Sequence, residues 1–372
     1  MLNWRDPKNP LAGGAERVSQ RYLLALKERG HQVEWFVNQF PGGTEQEEVD
    51  GIAVHRGGGQ GTSILAARRW FRTQPRFDLV IDQHHGIPWF APWWCGTNCV
   101  AYIHEVLGPI WNSFYHWPWN IIGRRQEKLT HRYYARVPFW TPSESTRAEL
   151  ESSGVRAVKV LSNGVDTVPL KELPPKPLNP TLRLITVSRL APNKRVDHAV
   201  RLVAELRRRD WAAELSIVGG GECEDGLRRL IADLQLGSAV RFSGRVAEAE
   251  KNRLLREAHF LVHPSQREGW GLNVIEANAM GTPALVYPVA GLVDSTIAGV
   301  TGLIANAETP AALAGALTGL KESPERYTEL RLAAWRRAFE FQWARVLPPA
   351  CEWLESKARG VISPSSGASS RV

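Results

Sequence analysis

Apolar residues along the chain fall into short unbroken runs that end in Gly, Ser, Pro or Asp. The clearest are FDLVID (77–82), CVAYIH (99–104), LRLITVS (182–188), AELSIVGGG (213–221), HFLVHPS (259–265) and PALVYP (283–288). They do not alternate with polar residues, so both faces of each strand must be covered, as in a parallel sheet. Between them, 195–209, 223–235, 271–281 and 309–322 show helical apolar spacing. Strands alternating with helices predict an α/β fold with parallel sheets. Right-handed crossovers then gather the loops that follow the strands along one sheet edge.

This pattern is interrupted once. Residues 167–180 hold five of the 24 prolines and suit neither a central strand nor a helix interior. They predict an extended linker between an N-terminal domain (1–166) and a C-terminal domain (181–340). Residues 341–356 predict a further helix, and the Ser- and Gly-rich stretch 357–372 a disordered tail.

Composition narrows the functional classes. At 372 residues the chain has room for two domains. Lys and Arg (46) exceed Asp and Glu (38), and a net charge of +8 suggests an anionic partner: nucleic acid, a phosphorylated metabolite or an acidic membrane surface. The charge is spread, and no recognition motif appears, so a nucleic acid is not expected. No apolar leader, no membrane-length apolar run and only four cysteines point to a soluble, reduced, cytoplasmic protein. Cys95 and Cys99, with His84, His85 and His104 nearby, match no standard zinc spacing, so buried thiols are expected rather than a metal site.

Two segments of the C-terminal half carry chemistry. Arg189 and Lys194 sit on the loop after LRLITVS, where two fixed cations suit a diphosphate. Glu268 to Glu276 follows HFLVHPS; its glycines allow close ligand approach, and Leu272 opens a helix whose first N–H groups can meet an anion. Ionised carboxylates on either side are acceptors suited to sugar hydroxyls. Other glycine-rich stretches fit less well. IVGGGECEDG has Glu224 where a dinucleotide fingerprint needs its third glycine, and GGGQGTS (57–63) lacks the lysine of a phosphate-binding loop.

Glu268 and Glu276 form an E-x7-E pair within HPSQREGWGLNVIEANAMGTPALV. This frame resembles the family-4 retaining glycosyltransferases. The likeness continues in order through AGGAERV (12–18), DQHHGIPWFAP (82–92), IHEV (103–106), TPSESTRAEL (141–150) and LSNGVD (161–166). Then come VSRLAPNKRVD (187–197), IVGGGE (217–222), FSGRV (242–246) and FQWARV (341–346). It implies a GT-B fold: two Rossmann-like parallel-sheet domains facing across a cleft, with the C-terminal helix crossing back to the N-terminal domain. Arg189 and Lys194 would neutralise a donor diphosphate, Glu276 would bind the ribose, and Glu268 the transferred sugar. Backbone groups at Gly271, Leu272 and Asn273 would meet phosphate or sugar. Gly13 and Gly14 would approach the phosphates from the other domain, Gly244, Arg245 and Val246 would hold the base, and His104 would face the reacting sugar.

The implied reaction moves a hexose from a UDP- or GDP-linked sugar to a hydroxyl of a glycan or lipid-linked acceptor, with retention and with neither metal nor cofactor. The alternative is a GT-B-like epimerase or phosphorylase, or a non-catalytic relative. In the family the first strand would begin several residues before Leu2, so the resemblance implies that here it is short or that the chain's start is trimmed. Residues 111–136 combine aromatics with Arg124, Lys128, Arg132 and Arg136 at four-residue spacing, predicted to form one stripe on a helix from about 121 to 136. Contact with an anionic membrane surface, lining of an acceptor site and simple packing all fit that segment.

Overall fold

The computed structural model describes residues 1–59, 61–178 and 180–360. The N-terminal half contributes β1 (Glu34–Val37), β2 (Gln46–Val49), β3 (Ile52–Arg56), β4 (Leu79–His84), β5 (Asn98–Ile103), β6 (Phe139–Thr141) and β7 (Val158–Val160). The order β2-β3-β1 forms one part and β4-β5-β6-β7 the other; β2 is antiparallel to β3 and the remaining pairs are parallel. Residues 1–3 join the two parts. Leu2 N–H donates to Ile81 O (2.9 Å) and Leu2 O accepts from Gln83 N–H (3.0 Å), while Asn3 N–H reaches Phe36 O (3.0 Å). Leu2 is fully buried there, so a very short segment does the work of a central strand.

The C-terminal half contributes β8 (Leu182–Val187), β9 (Ala213–Val218), β10 (Val240–Gly244), β11 (Phe260–His263), β12 (Ala284–Val286) and β13 (Gly302–Ile304). They form a six-stranded parallel sheet in the order β10-β9-β8-β11-β12-β13. The order reverses between β8 and β11. The N-terminal sheet reverses in the same way between residues 1–3 and β4. Such switch points open a crevice at the strands' carboxyl ends, where α/β proteins bind ligands.

Helices follow the predicted periodicity with shifts at their ends. The pattern at 309–322 divides into Pro310–Leu317 and Gly319–Glu322. The helix expected at 121–136 runs Trp119–Tyr133, so Arg136 lies in the following turn and the four-cation stripe is not carried on one helix. Tyr134, fully buried and bonded through its hydroxyl to Asp82 (2.8 Å), turns the chain, and Pro138 excludes a longer helix.

Residues 167–178 form neither helix nor strand and are strapped to the C-terminal half. Leu170 O accepts from Trp335 Nε1 (2.9 Å), Pro174 O from Arg331 (3.0 Å), and Lys176 Nζ donates to Thr282 Oγ1 (2.9 Å). The chain crosses between the halves at Val165 and returns at Phe341, where Val165 N–H bonds Phe341 O (3.0 Å). The last helix, Trp343–Arg359, then packs on the N-terminal half, burying Val346, Ala350 and Leu354 beside Tyr22 and Trp140. This corrects the expected tail. Residues 357–359 are helical because Asn98 Nδ2 holds Ala358 O (2.9 Å) and Lys357 lies over the Trp353 ring; 361–372 fall outside the described residues.

Candidate active site

The loops after β8 and β11 meet at the C-terminal switch point. Lys194 closes a short 3-10 turn after β8, and its Nζ lies 2.5 Å from Glu268 Oε1. His263, the last residue of β11, places Nε2 at 3.0 Å from the same oxygen. Burial alone would raise the Glu268 carboxyl, yet Lys194 and His263 together outweigh it and hold the group well below the usual carboxylate range. Glu268 is therefore ionised throughout the physiological range. The loops are tied by backbone as well: Gln266 N–H donates to Asn193 O at 2.8 Å. Arg189 is exposed on the same loop.

The glycines of IVGGG pack this loop. A Cβ on Gly219 would lie 1.9 Å from Ser188 O, and one on Gly221 2.5 Å from Leu190 O. They brace the segment bearing Arg189 and are not a dinucleotide turn. Gly244 O accepts Gly219 N–H (2.8 Å), which sets the Gly244–Arg245–Val246 turn alongside, with Arg245 exposed.

Gly271, at φ +83°, caps the helix Leu272–Ala279, and no side chain among the described residues satisfies the cap. Val274 N–H donates to Gly271 O (2.9 Å), so it is the Leu272 and Asn273 N–H groups that are left for an anion. Asn273 turns its amide back to Val187 O. Glu276 lies further along this helix, 3.0 Å from Lys251 Nζ, which also binds Glu248 (2.7 Å). Burial pushes the Glu276 carboxyl up and Lys251 draws it partly back. Glu268 and Glu276 thus do not touch one another; each has its own cation.

The N-terminal half closes on this cluster. Gly14 begins the helix Gly14–Glu28, and a Cβ there would stand 3.0 Å from Leu272 Cδ1. Gly13 N–H is taken by Glu16 Oε2 (2.7 Å), which fixes the loop. A Cβ on Gly269 would lie 2.5 Å from His104 O, so glycine is required where the two halves press together. His104 follows β5; its Nε2 receives the Gln83 amide (3.0 Å), and its Nδ1 faces Tyr102 Oη (3.4 Å). Burial lowers its pKa to about 3, so the ring is neutral with the proton on Nδ1. Further contacts lock the rim: Ser145 N–H with Asp294 (3.1 Å), and Arg267 with Glu149.

Several contributors escaped the sequence reading. His263 sat in plain view as a strand end, and Lys251 lies on a helix remote in sequence from Glu276. Gln83 positions His104, while neighbouring Asp82 is structural: its carboxylate accepts Trp89 N–H and Ala91 N–H, both at 3.0 Å. Glu105 also lies near Glu268 and Lys194. Burial and the nearby Glu268 raise its pKa to about 7 against Lys194 and Arg267. Among the described residues no group of three or more His, Cys, Asp or Glu is arranged to hold a metal ion, and no helix is long and apolar enough to cross a membrane.

Two parallel-sheet halves meeting at their switch points, with cations, a carboxylate and a helix N-terminus between them, define the GT-B class of fold. The chain belongs to the family-4 glycosyltransferases: the family model "Glycosyltransferase Family 4" matches residues 12–168 and "Glycosyl transferases group 1" matches 174–337. Glycogen synthase of Mycobacterium tuberculosis is 30% identical over 217 residues, covering 58% of this chain and 52% of that protein. D-inositol 3-phosphate glycosyltransferase of Frankia alni is 35% identical over 170 residues, covering 43% and 42%. The matches thus span about half the length of these curated relatives. Among solved structures, Anabaena Alr3699/HepE in complex with UDP and glucose shares the fold at a TM-score of 0.72 and 19% identity, over 95% of this chain and 99% of that one.

Proposed function

We propose that this protein is a retaining glycosyltransferase that moves a hexose from a UDP- or GDP-linked sugar to a hydroxyl of a glycan or lipid-linked acceptor, in cell-surface polysaccharide or glycolipid synthesis. The observation that carries this reading is the Lys194–Glu268–His263 cluster at the C-terminal switch point. It joins a cation for a diphosphate to an ionised acceptor for sugar hydroxyls, beside an uncapped helix N-terminus. The complex of the Anabaena protein with UDP and glucose supports a nucleotide-sugar donor.

In this reading the bond from C1 to the diphosphate breaks and its electron pair goes to the leaving oxygen. Arg189, Lys194 and the N–H groups around Gly271, Leu272 and Asn273 stabilise that charge, an effect preorganised before the reaction. Glu268 holds the sugar hydroxyls, Glu276 the ribose, and the Gly244–Val246 turn the base, while Gly13 and Gly14 close on the phosphates. Neutral His104 faces the sugar without opposing its developing positive charge. The acceptor hydroxyl adds on the face the diphosphate leaves, and its proton passes to the leaving phosphate. Arg189 and Lys194 take the part of a metal, so neither metal nor cofactor is required. The enzyme works in the cytoplasm, peripheral to the inner face of the membrane, and the aromatic and basic residues of 111–136 support that placement.

Thermal-shift titration with UDP-, GDP- and ADP-sugars, followed by assay of released nucleoside diphosphate, tests the reading. A true donor stabilises the protein by mass action, and Lys194→Ala and Glu276→Ala should each abolish that shift. An undiminished shift in both variants would reject the site.

A further inference from the structure

The helix Trp119–Tyr133 has two unlike faces. Inward, Glu127 accepts Leu107 N–H (2.7 Å), Gly108 N–H (2.9 Å) and Trp111 Nε1 (3.3 Å). Gly123 packs so closely that a Cβ would enter the Trp111 ring. Outward, Trp119, Leu129 and Tyr133 are 65%, 67% and 58% exposed, and Trp117 just before the helix is 78% exposed. Burying such side chains is worth roughly 1.5–3 kcal/mol each, so a face of this kind calls for a cover.

The charges on this face differ from those of several other exposed helices, which carry internal ion pairs, such as Arg253 with Glu250 and Glu257, or Arg228 with Glu224. Arg124, Arg125, Lys128, Arg132 and Arg136 form no ion pair among the described residues, and the helix's one acid, Glu127, is turned inward. Five cations of one sign repel a second copy of the same face and match an anionic surface. At the far end of the helix a surface cleft of about 410 Å³ is lined by Arg132, Arg136, Trp93, Tyr133, Thr97 and Pro138. Trp93 and Tyr133 stack there at 4.1 Å.

We propose that this face docks on an anionic bilayer, with Trp117 and Trp119 entering the interface and the Arg132–Arg136 cleft seating a phosphate-bearing lipid headgroup. Two guanidinium forks between apolar walls suit a phosphate diester joined to a lipid. Asn120 in the helix's first turn bonds Asn112 (3.0 Å), and the adjoining Ser113 bonds Gln266 on the loop that carries Glu268, so the docking face is joined to the donor site. This step rests on the glycosyltransferase reading and makes the acceptor one presented at a bilayer surface.

Flotation of the full chain with vesicles of phosphatidylcholine alone, or mixed with phosphatidylglycerol, tests the proposal. The wild type should float with mixed vesicles and release at high salt. Arg132→Ala with Arg136→Ala should weaken partition about 30-fold, at about 1 kcal/mol per cation, and by more than Arg124→Ala with Arg125→Ala. Trp117→Ala with Trp119→Ala should weaken binding at least about tenfold. No flotation of the wild type overturns the docking face, and equal losses from the two arginine pairs overturn the headgroup seat. Nucleotide-sugar thermal shifts, unchanged in every variant, show that the fold is intact. Absence of that shift in a wild type that floats would reject the enzyme reading and leave the membrane face standing.

Discussion

The C-terminal half has one continuous apolar core beneath its six-stranded sheet, while the N-terminal half divides its core into several clusters separated by buried polar groups. The polar groups explain the division. Arg56 Nε pairs with Asp6 at 2.8 Å with both side chains buried, Asp82 anchors the loop at Trp89, and Gln83 reaches Ser19 (2.8 Å) and His104. A continuous core gives the charged cluster at Lys194 and Glu268 a rigid seat. A divided core, held by hydrogen bonds and aromatic stacking, gives the opposite wall more ways to vary. The two halves meet at Trp270, Phe341, Val165 and Ile275, a small apolar cluster next to the chain crossings.

The largest effect should come from the N-terminal half. Trp140 is fully buried, stacks on Tyr102 at 4.0 Å and meets Tyr22 edge-on at 4.5 Å. Trp140→Ala should cost about 3–5 kcal/mol, and calorimetry should show the loss in an early transition. A later transition, still raised by the donor, should persist. A single transition lowered as a whole would mean that the two cores act as one despite their different construction.

Lys194→Ala comes next and acts in the opposite half. In the proposed reaction it removes a cation that faces the developing charge, so turnover should fall by roughly 10²–10³-fold, the range seen for comparable preorganised donors. The substitution also takes away one of the two partners, with His263, that hold the Glu268 carboxyl down. Steady-state kinetics should show the loss in kcat/KM, with far-UV circular dichroism unchanged. A change below about tenfold would mean that the cluster is structural.

Gln83→Ala should act more gently and only through His104. Losing the amide donor at Nε2 removes one hydrogen bond, worth about 1 kcal/mol, and releases the tautomer. Nitrogen chemical shifts of the imidazole should report a fixed Nδ1–H form in the wild type and a mixture in the variant. Equal shifts in both would show that Tyr102 alone orients the ring.

How far the sequence foretold these halves follows from the range of the contacts involved. The non-alternating runs that became β8, β9, β11 and β12 were legible because a strand buried on both faces writes its environment locally. Lys194 and Glu268 were legible because motif spacing after a strand reflects the switch-point geometry. Lys251 beside Glu276, Gln83 beside His104 and Leu2 between β1 and β4 were not, because each contact joins segments distant in sequence. The tryptophans between Trp70 and Trp140 show the same limit. Trp89 and Trp140 are fully buried while Trp117 and Trp119 are exposed, a division that composition does not carry.

The smallest predicted effect probes the seam between the halves. Glu105 follows His104 and leaves Oε2 buried without a hydrogen-bond partner among the described residues. Burial first, then Glu268 and Glu127, raise its pKa to about 7, and Lys194 and Arg267 oppose them. Below that pH it is neutral; above it, a negative charge appears beside Glu268 on the wall that faces the proposed diphosphate. Donor affinity should therefore fall as pH rises through about 7, by roughly three- to tenfold for a charge at this range in a partly screened cleft. Because the folded pKa stands above the ordinary 4.5, stability should also decline as pH rises from that value through about 7. Donor titrations of the wild type and Glu105→Gln between about pH 6 and about pH 8 would separate this group from the rest. The variant should lose the slope and keep the affinity the wild type shows at the acid end. A slope that survives the substitution would assign the titration to another group and leave Glu105 a buried carboxyl at the seam, electrically silent toward the donor.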